Sequence, residues 1–162
     1  MIAELTLGYV TLARLVEMRM ARVNTARLMA EGAHEVAGGH YRVIIAMHVC
    51  WLGTLWWLAP GRAVVPGWLA LFVLLQPLRV WVMAALGRRW TSRIIVVPGE
   101  TLIRTGPYRF IAHPNYAIVV GEVASLPLAF GLGWVALGFS LANAMMLTIR
   151  IHAENAALAP LR

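Results

Sequence analysis

Arg104-Thr105-Gly106-Pro107-Tyr108-Arg109-Phe110-Ile111-Ala112-His113-Pro114-Asn115-Tyr116 interrupts a mostly apolar chain, and Arg150-Ile151-His152-Ala153-Glu154 answers it near the C-terminus. Gly106-Pro107 marks a turn, and a second proline, Pro114, follows six residues after Tyr108. Between them stand Tyr108, Arg109, His113, Asn115 and Tyr116. So many hydrogen-bonding groups in one short segment point to a binding function. The plainer reading is an interfacial loop, with tyrosines at headgroup level and arginines facing lipid phosphate.

Outward from that stretch, the composition sets the class. Of 162 residues, 60% are hydrophobic and seven are tryptophan, and the mean hydropathy is +0.72. A soluble domain is ordinarily about 45–50% apolar. The chain therefore reads as one integral-membrane domain over 1–162, an all-α polytopic membrane protein with about five transmembrane helices. The expected spans are 2–21, 43–59, 64–86, 115–131 and 134–152. A short extended or hairpin-like segment, with Arg93–Val97 and Thr101–Arg104 flanking Pro98-Gly99, precedes the C-terminal helical hairpin. Glu4 precedes the first basic residue, Arg14, unlike the charged start of a cleavable signal peptide.

All fourteen basic residues are arginine, and the net charge is +7. They flank apolar runs, as in cytoplasmic loops facing anionic lipid, so nucleic acid is not the expected partner. Arginines cluster near 19–42, 87–109 and the C-terminus, whereas the loops near 60–66 and 131–133 hold only Arg62. With five spans, the N-terminus lies outside and the polar stretch faces the cytoplasm. Cys50 is the lone cysteine, which excludes disulfides and cysteine metal sites. His34 and His40 lack a recognised ligand spacing, so no metal is expected.

Charges inside the apolar runs carry the next clue. Arg14 and Glu17 are three apart on one helix face and can neutralise each other. Glu122 lies well inside an apolar run and should point into the bundle, paired or protonated, whereas Arg79 should face protein or snorkel to the surface. His48 reads first as a hydrogen-bonded core histidine. At about 100° per residue, Asn143, Arg150 and Glu154 fall within roughly 40° of one another on the last helix. Asn115 and Glu122 likewise share a face. A polar seam between two helices is the bland account. The set contains no nucleophile beside a base, no Walker loop and no dinucleotide fingerprint. It suits instead the positioning of a zwitterionic cofactor against a lipid nucleophile, with glutamate on an ammonium and arginine on an oxyanion.

Gly106-Pro107-Tyr108-Arg109, then His113-Pro114-Asn115-Tyr116, then Arg150 through Glu154 resemble the isoprenylcysteine carboxyl methyltransferase family, most of all its small bacterial members. The resemblance covers about residues 90–160, with the motifs in order within 104–158. Weaker similarity reaches upstream through Glu17, Asn24, Gly32–Glu35 and His40-Tyr41. It implies an S-adenosylmethionine-dependent methyltransferase acting on a lipophilic acceptor, a prenylcysteine-like carboxylate or a phenolic or other lipid hydroxyl, that enters from the bilayer. It implies cofactor contacts at His113, Pro114, Tyr116 and Glu154, with Tyr108 in the pocket wall and Arg150 holding or polarising the acceptor. Asn143, on the stripe of Arg150 and Glu154, is added to the expected cofactor-binding set, and Arg109 and Glu154 to the expected catalytic one. It also implies a bacterial cell membrane with the site facing the cytoplasm. Two positions depart from the family pattern: Ala112 stands where an arginine is usual, and Asn155 where a second glutamate is common. Arg109 could supply the missing charge. Phospholipid N-methylation, a sterol-reductase-like chemistry and a non-catalytic helical scaffold are the competing readings. The acceptor and the oligomeric state stay open at this level.

Overall fold

The computed structural model describes residues 1–36 and 38–159, with His40 as backbone only. Five helices form the bundle: α1 (Ile2–Ala30), α2 (Gly38–Leu58), α3 (Pro66–Leu86), α4 (Pro114–Ala129) and α5 (Gly133–Leu158). Two three-residue strands, β1 (His34–Val36) and β2 (Ile94–Val96), and two 3₁₀ turns, Gly87–Arg89 and Gly106–Arg109, gather at one end. The chain is thus an all-α membrane protein with a minimal antiparallel sheet.

Three segments are long and apolar enough to cross a bilayer: Tyr41–Leu58, Pro66–Arg89 and Gly133–Leu158. The other two helices depart from the expected spans in opposite ways. α4 has 16 residues, about 24 Å at 1.5 Å per residue, somewhat short of the roughly 30 Å hydrocarbon layer. α1 runs 29 residues, because the expected span over 2–21 passes unbroken into a basic, amphipathic continuation through Arg22 and Arg27 that ends before Gly32. Asn24 on that continuation donates to the carbonyls of Trp90 (2.8 Å) and Gly87 (3.3 Å). The projecting end of α1 is thereby tied to the turn after α3.

Polarity runs opposite to that of a soluble bundle. Leu12, Val16, Trp57, Leu74, Val80, Leu137 and Met145 face outward, where lipid tails would meet them. Leu7, Leu55, Phe72, Leu126 and Phe130 pack the core of the end remote from the sheet. Val82, Trp90 and Ile118 form a smaller cluster, backed by Tyr108, at the sheet end. Between these apolar layers Arg14, Glu17, Arg79 and Glu122 form one ion-paired network drawn from α1, α3 and α4. Arg79 grips Glu17 through Nε and Nη2, both at 2.7 Å, and reaches Glu122 through Nη1 at 2.8 Å. Arg14 bridges the same two carboxylates at 2.8 and 3.0 Å, and Gln76 donates to Glu122 at 3.0 Å. The inward placement expected of these charges is observed. Each would cost about 2.5–3.5 kcal/mol alone at the bilayer centre, and mutual pairing offsets that cost.

The extended segment after α3 is present, but its partner is not the one expected. Ile94–Val96 pairs antiparallel with His34–Val36, in the register His34 with Val96, Glu35 with Ile95 and Val36 with Ile94. Val97 through Glu100 does turn at Gly99, with the Glu100 N–H donating to the Val97 carbonyl. Thr101–Arg104 then runs on without strand pairing, held by Arg89, which donates to the Thr101 carbonyl at 2.7 Å and pairs with Glu100. Arg93 locks β1 to β2 through Glu35 at 2.6 Å, and its guanidinium lies 4.6 Å from the centre of the Tyr41 ring.

Gly106 illustrates how tightly the second 3₁₀ turn is set. Its φ is +58°, and a Cβ there would stand 3.0 Å from the Ala85 Cβ. Gly106→Ala is therefore expected to cost about 1–2 kcal/mol from the left-handed backbone alone, plus the α3 contact. Thermal unfolding in detergent should register it as a lowered midpoint.

Candidate functional site

His113 precedes α4 as its cap residue, and Pro114 opens the helix, where its missing N–H leaves no bond unmade. The first turn of α4 lies against the C-terminal part of α5. There the His113 and Tyr116 rings stack, with centroids 5.2 Å apart and planes inclined by 14°. Tyr116 donates its hydroxyl proton to Glu154 and accepts a hydrogen bond from Arg150 Nε at 2.8 Å. Arg150 Nη2 donates to the Ser92 carbonyl at 2.8 Å. His113 Nδ1 lies 3.7 Å from the Glu154 carboxylate, and its Nε2 lies 3.4 Å from Asn155 Oδ1. Asn155, one of the two departures from the family pattern, thus stands beside the motif histidine.

These side chains separate two cavities. The first, about 440 Å³, lies at the sheet end and is lined by β2, the 97–104 segment, Arg89, Arg104, Tyr108, His113, Tyr116, Arg150 and Glu154. The second, about 480 Å³, runs between the helices and is mostly apolar, with Ile44, Trp51, Phe72, Val119 and Met146 in its wall. Trp90, Thr91, Asn115, Tyr116 and Arg150 line both. Leu15, Val49, Gly53 and Trp56 line the second cavity and are also exposed, so it opens sideways between α1 and α2.

Most residues singled out in the sequence meet here, with three exceptions. Arg109 is exposed, lines neither cavity and sits 5.7 Å from the Phe110 ring. In a turn of three residues, neighbours point about 120° apart, so turning Tyr108 inward sends Arg109 out. It does not replace the charge absent at Ala112. Asn143 is buried but lines the inter-helix cavity rather than the first. Pro114 is buried and lines neither cavity; it starts the helix.

Tyr108 does line the first cavity. Burial, and then the negative charge of Glu154, hold its phenol above the ordinary tyrosine range. It stays protonated at neutral pH and offers a neutral wall. Sequence reasoning missed Trp90, Thr91 and Ser92, which line or bond the junction of the cavities. A tryptophan followed by two hydroxyl residues, set between Arg89 and Arg93, was the available signal.

Residues 68–160 match the isoprenylcysteine carboxyl methyltransferase (ICMT) family. The chain is 34% identical over 167 residues to the uncharacterized protein YpbQ of Bacillus subtilis (strain 168), covering 95% of each chain. No solved structure matches it. A match over more than half the chain, in the region that holds both His113–Tyr116 and Arg150–Glu154, establishes the kinship: this membrane protein belongs to the isoprenylcysteine carboxyl methyltransferase family.

Proposed function

We propose that the chain is an S-adenosylmethionine-dependent methyltransferase that methylates an oxygen of a lipophilic acceptor drawn from the bilayer. One observation carries this reading: a cavity whose wall includes Arg104, His113, Glu154 and other polar side chains meets a more apolar one at Tyr116 and Arg150. Methyl transfer needs mainly such positioning and the exclusion of water.

The first cavity suits the cofactor. Its volume falls within the range of small-molecule sites, roughly 300–1,000 Å³. Glu154 would take the amino group, Arg104 the carboxylate, and the stacked His113–Tyr116 pair a flat base or the sulfonium. When bound, S-adenosylmethionine supplies an electrophilic methyl group and leaves as the neutral thioether. On the chain's side, Nε and Nη2 of Arg150 are engaged by Tyr116 and Ser92. Its Nη1 has no hydrogen-bond partner among the described residues and is the donor available to an acceptor oxygen. A carboxylate would arrive ionised; a phenol would be favoured as phenolate beside the guanidinium, its proton passing to water in the first cavity. An amine acceptor, as in phospholipid N-methylation, would instead meet a cation, which ranks oxygen first. The arginine distribution orients this end toward the cytoplasm, where the cofactor is available, in a bacterial cell membrane.

Calorimetry on the detergent-purified protein tests the assignment. Wild type should bind S-adenosylmethionine saturably, and Glu154→Ala at least ten-fold more weakly. Equal affinity would remove Glu154 from the site, and no binding by a folded wild type would favour a helical scaffold.

A further inference from the structure

The wall of the inter-helix cavity holds more polarity than a hydrocarbon tail requires. Arg14, Glu17, His48, Arg79, Glu122 and Asn143 all line it. Tyr116 and Glu122 are six residues apart on α4, about 9 Å along the helix axis. The charged network therefore lies deeper in the bundle than the Arg150–Tyr116 junction, yet on the same cavity. His48 Nδ1 is tied to the Ile44 carbonyl at 2.8 Å. That bond requires the proton on Nδ1 and leaves Nε2 an acceptor with no partner among the described residues. An acceptor that is pure hydrocarbon beyond its reacting group would gain nothing from these groups and would bury His48 Nε2 against the tail with no hydrogen-bond partner.

We infer that this wall is a second polar subsite, and that the acceptor carries a second, uncharged hydrogen-bonding oxygen, a hydroxyl or carbonyl, deeper in the cavity than the oxygen that is methylated. The inference rests on the methyltransferase reading for the first oxygen only. The second group is uncharged because the network is balanced, with two arginines against two glutamates. Each carboxylate already contacts both guanidiniums. An ionic group would have to displace one of those pairs, whereas a neutral oxygen can accept from a guanidinium edge, or donate to His48, without breaking any. The tail beyond it leaves through the gap between α1 and α2.

Two probes matched in length test this: a long-chain para-alkylphenol, and the same phenol bearing a hydroxyl partway along the chain. Binding to the full-length protein in lipid nanodiscs, followed by tryptophan fluorescence, reads the subsite without requiring turnover. The hydroxylated probe should bind at least ten-fold more tightly to wild type, although a purely apolar cavity would bind it more weakly. In the charge-balanced Arg14→Met/Glu122→Leu protein, which keeps the two-bond Arg79–Glu17 pair, the preference should fall to about twofold. His48→Leu, which disturbs no ion pair, should reduce it independently. Equal or weaker binding of the hydroxylated probe by wild type overturns the proposal whether or not either variant folds. A preference untouched in both variants overturns it too. Failure of the methyltransferase reading would show separately, as absent S-adenosylmethionine binding in the same preparation.

Discussion

Arg150→Met is expected to lower kcat/KM for methyl transfer about 100–1000-fold, the range found when a single oxyanion donor is removed. S-adenosylmethionine affinity should change only a few-fold, because the proposed cofactor anchor is Glu154. The physical basis is the division of labour within one guanidinium. Nε and Nη2 are engaged by Tyr116 and the Ser92 carbonyl, which pre-orients the remaining nitrogen. A donor already oriented by the protein stabilises developing or resident negative charge without reorganising. Arg150→Lys should recover only a small part of the loss, since an ammonium cannot hold Tyr116, Ser92 and an acceptor with the same planar fork. Steady-state rates with an alkylphenol acceptor, alongside cofactor calorimetry, check both halves. An unchanged kcat/KM would take Arg150 out of the acceptor site.

The largest structural effect should follow from Glu122→Leu. Side-chain exposure is 6% at Glu122 and 9% at Arg79, so removing the carboxylate leaves two guanidiniums sharing Glu17 in a low-dielectric interior. Breaking one side of a buried pair typically costs about 3–5 kcal/mol. Arg14→Met/Glu122→Leu deletes one charge of each sign and retains the Arg79–Glu17 bonds at 2.7 Å. It should therefore unfold nearer to wild type than the single variant does. Unfolding in mixed detergent micelles would measure both. If the single and double variants were equally stable, the network would not act as a balanced unit.

Much of the fold was legible because the bilayer imposes a simple rule on the chain. Apolar runs bounded by Pro60-Gly61, Pro66 and the Gly131–Gly133 turn had to be helices, since every backbone group in lipid must be satisfied within its own segment. The helical period placed Asn143, Arg150 and Glu154 on one stripe, and the expense of membrane charge sent Arg14, Glu17 and Glu122 inward. The strand partner was another matter. Residues 93–97 and 101–104 had the local chemistry of a hairpin, yet β2 found His34–Val36 across two intervening helices. Hydrogen-bonding partners of a three-residue strand depend on what the bundle brings alongside, and α1 was longer than its apolar content suggested.

The sequence by itself determined the helical membrane class, the inward charges and the kinship carried by His113–Tyr116 and Arg150–Glu154, because each rests on local periodicity, solvation cost or motif spacing. Only the tertiary structure decided that Arg79 completes the ion network, that Arg109 points away and that Asn143 belongs to the inter-helix cavity. It alone placed Tyr116 and Arg150 as the wall shared by two cavities. Those outcomes depend on the rotation and depth of five helices relative to one another, set by packing between residues far apart in the chain.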